Sequence, residues 1–344
     1  MFRLLLRLIL ITFFLALAGV AFIFYKVFYA PNTYPGGKEK VLFVSKGMTF
    51  TDVVDHLTEK KLIENRWYFE LVAELSGGEN TVIVGKYSIP SGRSNLEILN
   101  LLRSGGAIIP VVVTIPEGMK ITSIARLLRR EAGIDSARYA QLAFEKKFTR
   151  RMKIDAHTLE GYLFPATYEV MWQMNEEDIL HKQVEKFRSE FPEEWKSRAE
   201  RMNITLHEVL TLASIVEGET AIDSERAVVA GVYLNRLRKQ MPLQADPTIQ
   251  YALPDGPRRL KYSDYKIQSP FNTYRYYGLP PGPVNNPGRE SILAVLFPKK
   301  HNNMFFVANG TGGHTFTTNY ADHLHAVKKL QKLLKERERL KNEE

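Results

Sequence analysis

An uncharged and strongly apolar run of 18 residues lies near the N-terminus of the chain, at residues 8–25. It follows Arg3 and Arg7 and ends at Lys26. At about 1.5 Å per residue it spans about 27 Å, close to the hydrocarbon thickness of a bilayer. A cleaved signal peptide is the alternative, but its apolar region is usually only ~7–15 residues long and ends at small residues, whereas this run ends in FIFY. We therefore expect residues 1–29 to form the cytoplasmic N-terminus and a membrane anchor.

The charges that flank this run predict its orientation. Arg3 and Arg7 lie on the short N-terminal flank, and positively charged flanks stay in the cytoplasm. We expect a single-pass protein of the inner (cytoplasmic) membrane, with the chain after Lys26 on the periplasmic or external side. Residues 30–40, APNTYPGGKEK, are rich in proline, glycine and polar residues and are expected to form a short linker.

Beyond the linker, a strand, a glycine and an amphipathic helix follow one another repeatedly. VLFV, Gly47 and apolar positions 53, 54 and 57 return 71 residues later as VVVTI, Gly118 and positions 124, 125 and 128, with a partial echo around Gly92. Because the glycine and three apolar positions keep their register, we expect a duplicated small α+β unit rather than a coincidence. Such units resemble LysM-type modules, which bind cell-wall glycan. We assign residues 41–112 to a LysM-like module and place a second repeat near 113–130.

The middle of the chain, LHEVLTLASIVEGET at residues 206–220, predicts a helix. Thr205 and Glu208 have the spacing of a capping box, and apolar residues at 206, 209, 210, 213 and 216 share one face. The helix ends with Glu217 and Glu219. A carboxyl group buried beside apolar residues has a raised pKa, which suits a general acid near neutral pH. Most acids at helix ends are simply solvated, however, and periodicity does not choose between the two glutamates.

The chain after this helix changes its character twice. Residues 224–238 predict a second amphipathic helix, with Ser224 as its cap. From Pro242 to Gly288, many Pro, Gly, Asn, Gln and Tyr residues replace the long apolar runs. Aromatic rings beside amides and hydroxyls suit a sugar cleft, although a structural loop would have the same composition. MFFVANG and GGHTFTTN predict two short strands before a charged C-terminal helix.

Composition narrows the classes of function. The 344 residues allow about two domains, and the net charge of +9 suggests an anionic neighbour: nucleic acid, acidic lipid or a wall polymer. The expected anchor places this charge outside the cytoplasm, so we expect no nucleic-acid partner. The absence of cysteine excludes thiolate nucleophiles and cysteine-bound metals. His207 and Glu208 begin like a zinc-protease motif, but residue 211 is Thr where a second His is required, and we expect no metal or organic cofactor.

Nine short motifs follow one another along the chain. They are IPEGM at 115–119, LEGYLFP at 159–165, LASIVEGET at 212–220, SER at 224–226, NRL at 235–237, LQADPT at 243–248, SPFNTY at 269–274, GLPPGP at 278–283 and NGTGGHTF at 309–316. With these motifs the chain, from residue 1 to about 330, resembles the membrane-anchored endolytic murein transglycosylases, the YceG-like family. One position departs from the family, which usually has Asp after LEGYLFP where this chain has Ala166.

The resemblance implies a fold and a reaction. The fold is α+β: one transmembrane helix, small LysM-like α+β modules, and a mixed α+β catalytic domain at 113–344 with a lysozyme-like catalytic helix. The reaction cleaves the bond between N-acetylmuramic acid and N-acetylglucosamine in nascent glycan strands and leaves a 1,6-anhydro end, which limits strand elongation. The implied partners are peptidoglycan strands and penicillin-binding peptidoglycan synthases.

The resemblance also distinguishes the two glutamates. Lytic transglycosylases and goose-type lysozymes carry their acid in a Glu-Ser or Glu-Thr pair at a helix end, and Glu219-Thr220 matches this pair whereas Glu217-Gly218 does not. We expect Glu219 to be catalytic and Glu217 to be a supporting carboxylate whose like charge raises the pKa of Glu219. Further candidates line the cleft or, as an equal alternative, stabilise its loops: Gln244, Asp246, Asn272 and Tyr274.

Two other functions remain open at this stage. A non-catalytic peptidoglycan-binding scaffold of the synthesis or division machinery would bind glycan and cleave nothing. A membrane-anchored hydrolase would use both glutamates with water and would leave reducing ends instead of anhydro ends.

Overall fold

The computed structural model describes residues 2–34, 38–77, 82–254, 256 and 258–343. Residues 35–37 of the expected linker lie outside these ranges. The chain is a mixed helix and sheet protein, as expected, and it divides into two compact units. The first unit contains residues 1–113, 131–134 and 169–174, and the second contains residues 114–130, 135–168 and 175–344.

The first unit begins with α1 (Phe2–Phe28), which is exposed up to Lys26 and has the length and composition of a membrane-spanning helix. Its last residues, Val27 and Phe28, are buried in the core of this unit. Residues of the expected linker also pack there, since Tyr34 is buried and β1 (Pro31–Asn32) pairs with β4 (Arg93–Ser94). The first part of the linker is therefore not a free tether.

Three segments of strand, glycine and helix follow, at the positions that the sequence pattern predicts. Each glycine has a positive φ, which lets the chain turn from strand to helix: 84° at Gly47, 89° at Gly92 and 75° at Gly118. The first segment continues into α3 (Arg66–Leu75), and β2 (Lys40–Val44) pairs antiparallel with β3 (Gly85–Ile89) around a shared core. The strands and helices of the three segments are β2 (Lys40–Val44) with α2 (Phe50–Glu59), β3 (Gly85–Ile89) with α4 (Asn95–Ser104), and β5 (Val111–Thr114) with α5 (Ile121–Ala132).

The second unit is mostly helical and carries one long buried helix. This helix, α10 (Leu206–Glu219), is buried from Val209 to Val216 and packs against three later helices, α11 (Asp223–Arg238), α12 (Asp246–Ala252) and α13 (Arg289–Leu296). A hairpin of β7 (Phe305–Ala308) and β8 (His314–Thr317) and the long helix α14 (Tyr320–Glu343) follow α13. The elements after α5 are α6 (Ser136–Phe144), α7 (Lys146–Arg151), β6 (Thr167–Val170), α8 (Glu176–Glu190), α9 (Glu193–Arg201), α10, α11 (Asp223–Arg238), α12 (Asp246–Ala252), α13 (Arg289–Leu296), β7 (Phe305–Ala308), β8 (His314–Thr317) and α14 (Tyr320–Glu343).

Helix starts show where local sequence was sufficient. Thr205 caps α10 in the expected capping box, with its hydroxyl accepting from the Glu208 backbone and the Glu208 carboxylate accepting from the Thr205 backbone. The prediction that Ser224 caps the next helix was wrong. The N-cap of α11 is Ile222, two residues earlier, and its N–H donates to the Thr220 hydroxyl at 3.0 Å in the turn before Asp223.

Candidate active site

The last turn of α10 carries both glutamates, and they face different neighbours. Residues two apart on an α-helix point about 200° away from each other, so one packing partner cannot serve both. The contacts of Glu219 come from α11 and from the start of α12. Those of Glu217 come from α11, α13 and the residue before α13.

Glu219 is a half-buried acid with a hydrogen-bonded carboxyl group. The Tyr233 hydroxyl donates to its Oε1 at 2.8 Å, and the backbone of Asp246 also donates to it. Burial, and then the negative charge of Asp246, raise the pKa of Glu219 to about 7 against the opposing effect of the Tyr233 hydrogen bond. At neutral pH this group can therefore both give and accept a proton.

Tyr233 and Arg236 lie one turn apart on α11 and form one wall of the site. Tyr233 is buried, and the phenyl ring of Phe306 packs edge-on against its ring, with the two ring centroids 5.9 Å apart. The Arg236 guanidinium donates to the backbone oxygens of Met304 and Leu243, each at 2.7 Å. Its charge lowers the pKa of Glu219 in part, while its own hydrogen bonds fix the chain on both sides of α11.

Asp246 and two tyrosines form the side of the candidate site opposite Tyr233 and Arg236. The Tyr274 hydroxyl donates to Asp246 Oδ1 at 2.6 Å, and the Tyr265 hydroxyl lies 3.5 Å from Oδ2. The two tyrosine rings contact edge to face, with their centroids 4.7 Å apart. The site thus presents an exposed carboxylate and aromatic hydroxyls beside a half-buried acid, which is a suitable lining for a sugar.

Glu217 is held in a different way, as one half of a buried ion pair. Its Oε1 lies 3.1 Å from Arg226 Nη1, and both side chains are only 7% exposed. Its Oε2 accepts from the Ser291 hydroxyl at 2.8 Å and from the Gly288 N–H at 3.0 Å. These contacts join α10 to α11 and α13. We expected Glu217 to supply the like charge near Glu219, but in the structure Asp246 supplies such a charge and Glu217 is paired with Arg226.

The remaining predicted site residues have backbone roles in the structure. Thr220 is buried and shapes the turn after α10, while Gln244 is exposed and adopts a φ of 51° two residues before Asp246. Asn272 is fully buried, and it donates to the Tyr265 and Ile267 backbone oxygens and accepts from the Tyr274 N–H. It therefore holds the loop that presents Tyr265 and Tyr274.

The Asn286 side chain links several of the sequence motifs to one another. Its Oδ1 accepts from the backbone N–H groups of Gly161 and Leu163 at 2.8 and 3.0 Å, and its Nδ2 donates to Met119 O and to Glu160 Oε1. One side chain thus joins the IPEGM and LEGYLFP motifs to the segment that follows GLPPGP. Burial raises the pKa of Glu160 to about 8. Ala166 offers only its backbone oxygen, which accepts from Ile115 at 2.9 Å.

Sequence reasoning missed Tyr233, Arg236, Arg226 and Tyr265. Arg226 and Arg236 do lie within the SER and NRL motifs, which was the available signal, but periodicity placed Tyr233 on the apolar face of its helix. Across the described ranges, no cluster of three or more His, Asp or Glu side chains is arranged to bind a metal ion.

Comparison with known proteins identifies relatives along most of the chain. The model of the YceG-like family matches residues 42–329. An endolytic murein transglycosylase of Bacillus subtilis (strain 168) is 29% identical over 326 residues, covering 90% of each chain. One from Streptococcus pneumoniae serotype 2 (strain D39) is 28% identical over 81% of this chain and 56% of its own length.

A solved structure extends this likeness to the fold. The crystal structure of a putative yceG-like protein from Listeria monocytogenes has a TM-score of 0.61 to this chain at 28% identity. The match covers 84% of this chain and 98% of that one. Since the family model spans far more than half of the residues, the chain belongs to the YceG-like family.

Proposed function

We propose that this chain is an endolytic murein transglycosylase, which cuts peptidoglycan glycan strands internally and without water. The observation that carries the proposal is Glu219, an acid with a pKa of about 7 between Tyr233 and the Asp246–Tyr274 pair. The names of the relatives from B. subtilis and S. pneumoniae support the same activity.

The reaction needs one proton shuttle. Protonated Glu219 donates its proton to the glycosidic oxygen as the bond from that oxygen to C1 of N-acetylmuramic acid breaks. The resulting carboxylate then takes the proton of the 6-hydroxyl of the same sugar as O6 bonds to C1, which gives the 1,6-anhydro end. The nucleophile is already attached to the substrate, and such intramolecular reactions gain effective molarities of ~10⁵ M or more.

Tyr233 and Asp246 have complementary roles in this scheme. The Tyr233 hydroxyl hydrogen-bonds the Glu219 carboxylate after it has lost its proton and holds it for the second transfer. Asp246 supplies a like charge that helps to keep the pKa of Glu219 close to neutral. Tyr274 orients the Asp246 carboxylate by its hydrogen bond.

The hydrolase with two glutamates receives less support. Such an enzyme needs a second carboxylate that can reach water or the sugar. Glu217 is buried, ion-paired and bonded by two further donors, so it has no free position for either task. The non-catalytic scaffold does not account for a half-buried acid whose pKa lies near neutrality, because burying such a group without a role only lowers stability.

The first unit extends the proposal to the membrane and the substrate. We place α1 across the inner membrane with its N-terminus in the cytoplasm, in keeping with its length and with Arg3 and Arg7. The order strand, helix, helix, strand in residues 40–89 supports a LysM-like module that binds glycan. We also propose penicillin-binding peptidoglycan synthases as partners, because an anchored enzyme acts on strands made close to the membrane.

The test uses the full chain in detergent micelles with purified glycan strands. We expect products with 1,6-anhydro ends by mass spectrometry, and an early fall in mean strand length that shows internal cleavage. Reducing ends in place of anhydro ends would favour the hydrolase. Binding of strands without any cleavage would favour the scaffold.

A further inference from the structure

The hairpin of β7 and β8 contacts the start of α11 through a largely buried side-chain pair. Nδ1 of His314 lies 2.6 Å from Glu225 Oε2, and the His314 backbone N–H donates to Oε1 at 2.9 Å. The two side chains are only 14% and 17% exposed. One hairpin residue therefore holds both carboxylate oxygens of Glu225.

Glu225 passes this restraint to the residue beside Glu219. It lies in the first turn of α11 and also accepts a hydrogen bond from the Thr220 hydroxyl. Thr220 in turn accepts the Ile222 N–H at 3.0 Å. The hydrogen bonds thus run from His314 through Glu225 to Thr220, and they fix the short turn that joins α10 to α11.

A second route from the same hairpin reaches the carboxyl group of Glu219 itself. The ring of Phe306 packs at 89° against Tyr233, whose hydroxyl donates to Glu219 Oε1. Phe306 also contacts the His314 ring, with the centroids 5.3 Å apart. The two routes therefore start from neighbouring side chains on the two strands of one hairpin.

Gly313 shows how closely the hairpin approaches Glu225. A Cβ atom at this position would lie 2.6 Å from Glu225 Oε1 and 3.5 Å from its Cδ. Any larger residue would push the carboxylate away or bend the hairpin. The close approach that allows His314 to hold Glu225 thus depends on glycine here.

We propose that the β7–β8 hairpin positions Glu219, and that His314 is a positioning residue which acts through Glu225 and Thr220. The inference rests on the proposed role of Glu219. An acid on the last residue of a helix has no following turn to hold it, so its restraint must come from other elements. A displacement of about 1 Å at a reacting group can cost ~10²-fold in rate, which makes such support functionally significant.

Two substitutions at His314 separate positioning from folding. His314→Leu keeps bulk and removes the ring donor, whereas His314→Asn offers an amide N–H near the position of Nδ1. In full-length protein we expect His314→Leu to lower kcat for anhydro-end formation about 10- to 100-fold, with KM changed less than about 3-fold. His314→Asn should recover most of this loss. His325→Ala, an exposed histidine on α14, is the matched control and should behave as the wild type.

The pH profile of kcat is a second measurement. It should not shift if His314 only stabilises the fold. The groups that act on Glu219 are Tyr233 and Arg236 of α11, Asp246 of α12, and Tyr274, and all remain in these variants. We expect the limb assigned to Glu219 to shift in His314→Leu and to return toward the wild-type position in His314→Asn. An unchanged kcat and profile in His314→Leu would overturn the proposal, as would a loss that follows thermal unfolding and is not recovered by asparagine.

The positioning of Glu219 by the hairpin can also be tested without measuring the reaction, by titrating its carboxyl group. If the wild type forms no anhydro ends, the proposed function fails, but the carboxyl of Glu219 can still be titrated by infrared difference against Glu219→Gln. A different pKa of Glu219 in His314→Leu and wild type would support positioning by the hairpin. Equal values would overturn it.

Discussion

Glu217 and Glu219 stand two residues apart on one helix, yet their surroundings make them chemically different. Glu217 meets Arg226 in a buried ion pair that joins α10 to α11. Glu219 meets Tyr233 and the like charge of Asp246, so its neutral form persists to about pH 7. The same residue type thus forms a fixed link between helices on one side and, on the other, an acid that can exchange a proton near neutral pH.

The comparison shows that the side chains which contact an acid from neighbouring helices determine what it can do. Both side chains are withdrawn from solvent, so burial alone does not separate them. Their neighbours differ: Glu217 meets a guanidinium, whereas Glu219 meets a phenol and a second carboxylate, whose charge helps to raise its pKa. The two sides of the last turn of α10 can therefore be tested against each other by matched substitutions.

The largest effect should follow from Glu219→Gln, which keeps the shape of the side chain and removes its proton. General acid–base groups contribute ~10²–10⁴-fold, so we expect formation of anhydro ends to fall about 10³-fold. Strand binding should change little. Mass spectrometry of the products measures the rate, and Glu193→Gln, at an exposed position on α9, is the control. Wild-type yields of anhydro-muropeptides from Glu219→Gln would remove this residue from the mechanism.

Glu217→Gln should instead act mainly on stability. Removing one member of a buried ion pair typically costs ~3–5 kcal/mol. We expect about 3 kcal/mol in the free energy of unfolding, since Asp223 remains 3.1 Å from Arg226. Denaturant unfolding measures this loss, and the folded fraction should keep its activity within about tenfold of the wild type. If Glu217→Gln were as stable as the wild type but inactive, the roles of the two glutamates would be reversed.

The comparison extends to the pH dependence of stability. The pKa of Glu219 is about 7 in the folded protein and near 4.5 when unperturbed, so the folded state binds more protons between these values. This group therefore contributes stability at low pH that is lost as the pH rises through 7. From pH 5 to pH 8, we expect the wild type to lose about 2 kcal/mol relative to Glu219→Gln.

Unfolding of both proteins at several pH values measures this difference directly. Glu160, whose pKa is also raised, is present in both proteins, and its contribution cancels. A constant difference between the two proteins across this range would mean that the pKa of Glu219 is not raised by folding.

Local sequence was sufficient for α10 but not for the partners of its acids. The capping box at Thr205 and the apolar period depend on neighbours within one or two turns, and both are present in the structure. The pairing of Glu217 with Arg226 and Ser291 depends on how α11 and α13 pack, which no local pattern encodes. The contact of Glu219 with Asp246 likewise depends on α12, a short helix with proline in its first turn inside a segment that reads as irregular.

The segment from Pro242 to Gly288 also shows that local sequence does not determine which side chains contact one another. Its composition indicated a sugar cleft or a structural loop. In the structure, some of its residues hold the loop and others face the candidate site. Asn272 uses its amide on three backbone groups, while Tyr274 reaches the Asp246 carboxylate. Both residue types are common in clefts and in loops, so only their contacts distinguish them.

Asp246→Asn should have the smallest effect on activity. It tests directly whether a like charge distinguishes Glu219 from Glu217. The amide removes the like charge that raises the pKa of Glu219 but can still accept from Tyr274, so the pKa should fall toward its ordinary value. The basic limb of the kcat profile should then move to lower pH. At pH 7.5 we expect activity about 3- to 10-fold below the wild type, and at pH 5.5 nearly equal activity.

Asp178→Asn, an exposed aspartate on α8, is the control for this change and should leave the profile in place. A uniform loss across all pH values would contradict the tuning role, because a substitution that changes only the pKa of Glu219 has no effect where the acid is fully protonated. Such a loss would instead mean that Asp246 contacts the sugar or its developing charge, and its carboxylate would then belong to the substrate-binding surface of the cleft.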